Sequence, residues 1–536
     1  MGKADLEKGD TLLARQRPES YPHPVGAIRI VETHISWVLL TGTWAYKIKK
    51  PVDLGFLDFT TLDARRRYCE EELRLNRRLA PGIYDAVVEI RGTLTEPRIE
   101  GAGRVLEYAV KMCEFPQEAL ASEMLSHNAL TSAHVDRLAA GIAAFHDRAA
   151  RAGGTSPFGM PEAVLTPALD NFETLEACLD RAMARSGQTL RDWTRREFAK
   201  RQTAFETRRS DGFVRECHGD LHLRNIVVLD GEPVAFDCIE FDERLRWIDV
   251  MSEVAFVLMD FEDRGHRDFG WRFLNAYLEA TGDYAGLAVL RFYLVYRALV
   301  RAKVHALRAG QSGVDDKERQ RLDRAACQYV ALAERHTSDS VRAVIITHGV
   351  SGSGKTTATQ SLIETAGAVR VRSDIERKRL HGLAPLARTR SVFGTGIYSG
   401  EATRATYHRL LQATAAIVEA GYPAVVDAAF LRRSEREPFR AFAERSGAGF
   451  VILAFEAPRG ILRERVTRRL GAGADPSEAN LDVLERQLDL REALKQDEER
   501  SAIRVEPCTA AAPDYWRSVV ERAAGTVAES APRDPE

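Results

Sequence analysis

Between residues 27 and about 114 the apolar residues fall in short runs rich in β-branched and aromatic side chains. IRIVE, ISWVLLTG, WAYKIKK, DAVVEIRG and RVLEYAVKM are bounded by Gly, Pro or Thr, and each predicts a strand. One stretch breaks the pattern: residues 61–79 place Leu62, Tyr68, Leu73, Leu75 and Leu79 at helical spacing, and Pro81-Gly82 ends the run. A sheet interrupted by a single helix predicts a small α+β lobe. From 117 to about 335 the spacing turns helical, with long amphipathic stretches over 132–152, 167–185 and 284–307. Strand-like residues return only around His218, where NIVVLDGEP and VAFDCIEF flank Asp230-Gly231, a good hairpin turn.

A polar segment, residues 334–342, separates this region from the apolar run AVIIT and a glycine-rich loop. Beyond it AVIITHG, VRVRSD, AVVDAAF and FVILAFEA alternate with helical stretches, the order expected of a parallel α/β sheet. The predicted organisation is an N-terminal extension 1–26, a first domain 27–335, a linker 336–342, a second domain 343–524 and a frayed tail 525–536. No internal repeat links the halves.

The length of 536 residues exceeds what one core holds, roughly 250–300 residues, in keeping with two domains. With 45% hydrophobic and 29% charged residues, the composition is that of a globular chain. Lys and Arg number 76 against 78 Asp and Glu, so the net charge of −2 gives no general attraction to nucleic acid or an anionic membrane. The seven cysteines are scattered and never spaced C-x-x-C, which argues against a disulfide framework or a structural zinc site. The N-terminus lacks the apolar run of a secretory signal. The most apolar helical stretch, around 287–300, is interrupted by Arg291 and Arg297 and falls short of the ~20 residues that span a bilayer. A cytoplasmic protein is expected.

The glycine-rich loop reads Gly349-Val350-Ser351-Gly352-Ser353-Gly354-Lys355-Thr356-Thr357, a strand before it and a helix-compatible stretch after it. In G-x-x-x-x-G-K-[ST] the glycines let successive N–H groups face phosphate oxygens at the positive end of the following helix. Lys355 would reach the β and γ phosphates of ATP, and the Thr356 hydroxyl would bind Mg²⁺. Downstream, Arg372-Ser373-Asp374 ends a strand and opens a helix carrying Arg377. Asp374 would accept a substrate hydroxyl proton while Arg372 and Arg377 hold anionic groups. The same residues also read as a capping box, Ser373-x-x-Glu376. Asp427 closes AVVD, where a carboxylate supports Mg²⁺. Arg463, Arg465, Arg468 and Arg469 crowd one helical stretch, as in a mobile lid that neutralises transferring phosphate. From Ala343 to about Thr509 the chain resembles the small P-loop kinases that include gluconate and shikimate kinases, polynucleotide 5′-hydroxyl kinase and the zeta-toxin kinases. That resemblance implies Lys355 and Thr356 for nucleotide, Asp374 for the acceptor hydroxyl, and Arg465 or Arg469 for the lid.

A second, unrelated signature lies upstream. His218-Gly219-Asp220 is followed by His222, Asn225 and then Asp237. Kinase chemistry needs such a trio: one Asp to orient and deprotonate the hydroxyl, and an Asn with a second Asp to hold Mg²⁺ against the phosphates. His218 and His222 read as hydrogen-bonding structural residues. From about Ala27 to Arg335 the chain resembles the aminoglycoside phosphotransferase and choline kinase branch of the protein-kinase-like fold, with Ala45-Tyr46-Lys47 as the A-x-K element. The resemblance implies Asp220 as catalytic base, Asn225 and Asp237 as Mg²⁺ ligands and Lys47 on phosphate, with Lys49 its rival on the same strand face. It implies a helix glutamate to pair with that lysine, chosen as Glu72 from the triplet 70–72. Lys111, Met112, Cys113 and Glu114 would form the hinge against adenine, and Asp249 would support the catalytic loop. No G-x-G-x-x-G precedes Lys47, and Cys238-Ile239 stand where protein kinases carry Phe-Gly.

The expected fold is therefore an α+β bilobal protein-kinase-like domain followed by an α/β P-loop domain with a mostly parallel sheet. The expected function is a double kinase using MgATP on small-molecule hydroxyl groups. Two alternatives are a regulatory nucleotide switch with one degenerate domain and a nucleic-acid 5′-hydroxyl kinase, the latter weakened by the near-neutral charge.

Overall fold

The structure, a computed structural model, describes residues 17–530 except 56, 179–180, 312, 339–340, 388–395, 473–475 and 506–512. They fall into two compact units. The first takes the chain as far as Ala163 and adds Arg208–Glu253; the second takes Val164–Thr207 and the chain from Val254 onward.

In the first unit a six-stranded antiparallel sheet runs in the order β1-β2-β3-β6-β4-β5. Its strands are β1 Arg29–Glu32, β2 Ser36–Leu40, β3 Trp44–Lys49, β4 Tyr84–Gly92, β5 Pro97–Ile99 and β6 Val105–Cys113. The three-residue β5 is too short to stand out in the sequence pattern. Helix α1, Leu62–Asn76, enters between β3 and β4, its first turn capped by the Thr61 hydroxyl on Ala64 N. Alternation along the strands splits the apolar residues into two layers. Ala45, Val110 and Met112 pack with Cys69 of α1, while Tyr46, Ile48 and Ala109 pack on the other face with Tyr21. Two small ribbons follow: β7 Val214–Glu216 with β10 Trp247–Asp249, and β8 Ile226–Leu229 with β9 Glu232–Ala235. Leu229 pairs with Glu232, leaving Asp230 and Gly231 as a two-residue turn with φ of 50° and 79°.

The second unit holds a parallel sheet ordered β12-β13-β11-β14-β15, from β11 Ala343–His348, β12 Val369–Arg372, β13 Ala424–Asp427, β14 Gly449–Ala454 and β15 Ala502–Arg504. Its central strands are buried on both faces, as parallel sheets require. Helices also belong to this unit, among them α5 from Val254 onward (Val250–Asp263 in all), α6 Arg267–Thr281, α7 Leu287–Ala309 and α8 Asp316–Thr337. The compact units thus do not part at 336–342, because α6 is bonded directly to β12. Two helices, α3 Pro161–Cys178 and α4 Arg181–Ser210, stand where one was expected over 167–185, and the second continues through Gly187. The last described helix, Pro513–Ser530, buries Trp516, Val519 and Ala523 against the sheet. It runs through Gly525, where a frayed tail was expected, since the surrounding residues favour helix; residues 531–536 lie outside the described residues. Among the described residues no helix is long and apolar enough to cross a membrane.

Candidate active sites

In the first unit, β3 presents Lys47 and Lys49 on the face that carries α1. Lys47 Nζ donates to Glu72 Oε1 at 2.8 Å and to Asp237 Oδ1 at 2.5 Å, while Lys49 Nζ donates to Glu72 Oε2 at 2.8 Å and to Glu240. Of the three adjacent glutamates, Glu70 meets Arg66 and Glu71 meets Arg74 and Arg246, so Glu72 is the one that meets the lysines. Burial drives the Glu72 carboxyl up, but the two ammonium groups override it and hold it far below the usual range. Burial likewise opposes the charge on Lys47, and Asp237 and Glu72 outweigh it, raising its pKa.

The β8–β9 hairpin sets residues 225 and 237 at one open end, where Phe236 N donates to Asn225 O at 2.9 Å. Asp237 follows with φ of 65°, a left-handed conformation that a non-glycine residue adopts at a cost. It is held there because Asp237 N donates to the Tyr84 hydroxyl at 3.2 Å and Cys238 N to Asn76 Oδ1 at 2.9 Å. Asn225 Nδ2 donates to Asp220 O at 3.0 Å and Oδ2 at 3.2 Å, and His222 Nε2 lies 3.4 Å from the same Oδ2. The buried His218 ring donates through Nε2 to Phe236 O at 2.8 Å, tying the loop to the hairpin. Gly219 sits at φ 91°, where an added Cβ would come within 2.9 Å of Leu245 O.

One expectation is corrected here. Asp249 does not bond to the 218–225 loop; it pairs with Arg208 at 2.7 and 2.8 Å and accepts from Met251 N. The loop is held instead by Glu253, whose Oε1 accepts the N–H groups of His218 and Gly219, each at 2.8 Å, while Oε2 meets His146 Nε2 at 2.8 Å. Burial pushes the Glu253 carboxyl up, and His146 with the two amides more than reverses the shift. The signal missed was a lone carboxylate inside the apolar run VMSEVAFVLM. Lys111 is opposite Tyr46 in register and therefore lies on the face away from Lys47. Its ammonium pairs with Asp85 at 2.8 Å and sits 3.8 Å from the Trp44 ring centre. Met112 is on the Lys47 face, packed with Ala45, Phe115 and Phe236; Cys113 N and Glu114 N bond Ile83 O and Thr43 O.

In the second unit the loop between β11 and helix α9, Lys355–Ala366, opens onto a cavity of about 1510 Å³. Gly352 has φ 82°, and a Cβ there would meet Leu462 O at 2.9 Å. Ser351, Ser353, Gly354 and Thr357 line the cavity, while a Cβ added at Gly349 would meet Phe455 O at 2.8 Å and Ser353 Oγ at 2.9 Å. Lys355 Nζ donates to Val350 O at 2.9 Å, and burial lowers its pKa. Thr356 Oγ1 donates to Asp427 Oδ2 at 2.8 Å, so the β13 carboxylate and the loop hydroxyl converge.

Asp374, Arg372 and Arg377 line the same cavity from β12 and helix α10, Ser373–Leu380. Ser373 is the first residue of the helix and not its cap; the N-cap position falls to Arg372, whose side chain makes no capping bond, and the buried Glu376 bonds Arg379 and Arg409 at 3.1 and 3.0 Å. Arg377 donates to Ile397 O and lies 5.1 Å from the Tyr398 ring centre, without a carboxylate partner among the described residues. Along helix α13, Arg459–Ala472, three of the four predicted arginines face the cavity: Arg465, Arg468 and Arg469. Arg465 bonds Gly352 O at 3.3 Å and Arg469 bonds Ala479 O at 3.0 Å. Arg463 turns away to Glu485 at 2.6 Å.

Both sites offer the hard oxygen donors that suit Mg²⁺, namely Asp237 with the Asn225 carboxamide in one unit, and Thr356 with Asp427 in the other. Bound there, the ion would neutralise phosphate charge.

A family model described as "Phosphotransferase enzyme family" matches residues 61–293, and one described as "AAA domain" matches residues 344–494. Over 459 residues the chain is 30% identical to uncharacterized protein Rv2004c of Mycobacterium tuberculosis, covering 84% of this chain and 89% of that protein. Uncharacterized protein Mb2027c of Mycobacterium bovis matches equally, at 30% identity with 84% and 89% covered. Among solved structures, an ethanolamine kinase of Plasmodium vivax is similar at 11% identity and TM-score 0.36, over 57% of this chain and 81% of that one. A gluconokinase from Sinorhizobium meliloti 1021 is similar at 22% identity and TM-score 0.23, over 35% and 94%. The chain belongs to the family of these mycobacterial proteins, and is a phosphotransferase in which an aminoglycoside-phosphotransferase-like, protein-kinase-like domain precedes a P-loop kinase-like domain.

Proposed function

We propose that this chain is a bifunctional kinase with two separate MgATP sites, each phosphorylating a hydroxyl group of a small molecule. The observation that carries the reading is that each compact unit gathers its own full set of groups. One holds Lys47, Glu72, Asp237, Asn225 and Asp220; the other holds Lys355, Thr356, Asp427 and Asp374 around one cavity. In each, a carboxylate takes the acceptor's hydroxyl proton as its oxygen bonds to the γ-phosphorus, and the bond to the β,γ-bridging oxygen breaks to release ADP. Asp220 takes that part upstream and Asp374 downstream. Lys47 and Lys355 orient phosphate, and Arg465 and Arg469 add charge as the downstream transition state forms. Arg377, without a carboxylate partner among the described residues, favours a downstream acceptor that itself carries an anionic group. The six unpaired cysteines among the described residues support a reducing, cytoplasmic setting.

Phosphate transfer from labelled ATP to a library of hydroxyl metabolites tests this with the full-length protein. Asp220→Ala and Lys355→Ala should each abolish transfer to a different acceptor. Retention of all transfer by both variants would contradict the proposal.

A further inference from the structure

We propose that Lys49 is a positioning residue of the upstream site: together with Glu240 it closes a ring of ion pairs that clamps residues 237–240 and so fixes the Asp237 carboxylate in place for a divalent cation. The inference rests on reading the first unit as a MgATP site.

Strand alternation sets Lys47 and Lys49 on one face of β3, while Ile48 between them packs on the other face with Tyr21. Both ammonium groups donate to Glu72, Lys47 to Oε1 and Lys49 to Oε2, each at 2.8 Å. Their remaining carboxylate partners stand three residues apart on one segment: Lys47 Nζ donates to Asp237 Oδ1 at 2.5 Å, and Lys49 Nζ donates to Glu240 Oε1. The contacts thus run from Asp237 through Lys47, Glu72 and Lys49 to Glu240, and the backbone from 237 to 240 completes the ring. Asn76 adds a cross-tie, its Nδ2 on Glu72 O and its Oδ1 on Cys238 N, both at 2.9 Å.

The two lysines differ in what else they can do. Lys47 borders Asp237, whose side chain is 43% exposed, and so it can serve a ligand's phosphate; Lys49 and Glu72 are fully buried, and Glu240 is nearly so. Among the described residues the Glu240 carboxylate pairs with Lys49 alone. Without Lys49 it is a buried charge with no counter-ion, and the far end of the segment loses its anchor. That end matters because Asp237 sits at φ 65°, a conformation that persists only where the surroundings hold it. Three amides report on the segment: those of 237, 238 and 239 donate to the Tyr84 hydroxyl, Asn76 Oδ1 and His218 O at 3.2, 2.9 and 3.1 Å.

The test uses the full-length chain in a Lys355→Ala background, which removes the downstream nucleotide component. Amide hydrogen exchange of the nucleotide-free protein follows residues 237–239, and binding of a fluorescent ATP analogue is titrated with Mg²⁺. Lys49→Met should speed that exchange by at least about tenfold and raise the Mg²⁺ concentration for half-maximal enhancement by about tenfold. Glu240→Gln keeps a carbonyl for Lys49 and gives up only the charge, so it should shift both readouts the same way by less. The Lys49→Met, Glu240→Leu double variant removes the uncompensated charge and should recover the thermal stability lost by Lys49→Met, while fast exchange and the raised Mg²⁺ requirement persist. Ile48→Val, on the opposite face of β3, should lower thermal stability and move neither readout. Should Lys49→Met fail to fold, Glu240→Gln and the double variant decide. Parent-like Mg²⁺ dependence in Glu240→Gln and in whichever Lys49 variants fold, or a return of both readouts to parent values in the double variant, overturns the proposal. Absence of any nucleotide binding in the Lys355→Ala background refutes the MgATP reading itself, and the exchange at 237–239 still shows whether the clamp exists.

Discussion

Glu253 is the most consequential side chain outside the predicted set, and Glu253→Ala gives its role a magnitude. The carboxylate is 1% exposed and takes three bonds of 2.8 Å, two from the His218 and Gly219 amides and one from His146. A hydrogen bond to a charged group contributes roughly 1.5–3 kcal/mol, but these three share one carboxylate and do not add. Removing a buried charged partner typically costs about 3–5 kcal/mol, and that is the expected loss in local stability. Amide hydrogen exchange of the segment around residues 214–225 reads it directly, because His218 and Gly219 N–H lose their acceptor. Glu253→Gln retains a carbonyl for the two amides and gives up only the charge, so its loss should be about 1–2 kcal/mol. Upstream phosphate transfer should fall with loop protection. If Glu253→Ala leaves exchange of that segment within about 0.5 kcal/mol of the parent, the loop is held by something else and the reasoning fails.

Other expectations follow from single sites. His348 is buried, donates from Nδ1 to Phe430 O at 2.9 Å and accepts Arg491 Nε at 3.2 Å, and burial first, then the Arg491 charge, lowers its pKa to about 4. A histidine kept neutral when folded contributes stability above its unfolded pKa; thermal melts should therefore show about 2–3 kcal/mol lost between roughly pH 6.5 and 4, and His348→Asn should flatten that slope. Gly352→Ala forces a side chain onto φ 82° and into Leu462 O, so Lys355-dependent nucleotide binding should weaken by at least about tenfold in a titration. Arg377→Ala should raise the downstream acceptor's KM about tenfold while the KM for ATP stays within about twofold, read from steady-state kinetics. Equal rises in both would place Arg377 with the nucleotide.

The glycine-rich loop and the His218-Gly219-Asp220 motif were legible as candidate sites because each is contiguous in the chain. Glycine at 352 and 219 answers a local backbone demand, and Asp230-Gly231 announces the turn that carries Asp237 back beside Asn225. Contacts between distant segments were not legible. Lys49 looked like a rival of Lys47, yet the two share Glu72, and the fourth partner, Glu240, lies 191 residues from Lys49. The face that the Lys111 side chain takes was not legible, because strand parity depends on register with β3, and register is set by partners the local pattern does not name. Asn275 and Glu279 read as ordinary helix-surface polar residues, since nothing near them in the chain announces that a sheet edge lies against them.

The most direct test of the central claim is the number of nucleotides bound per chain, measured by equilibrium dialysis of the full-length protein with MgATP analogue at saturation. Two independent sites predict two per chain, falling to one in Lys355→Ala and to one in Asp237→Ala. A value of one in the parent, unchanged by either substitution alone, would contradict the account.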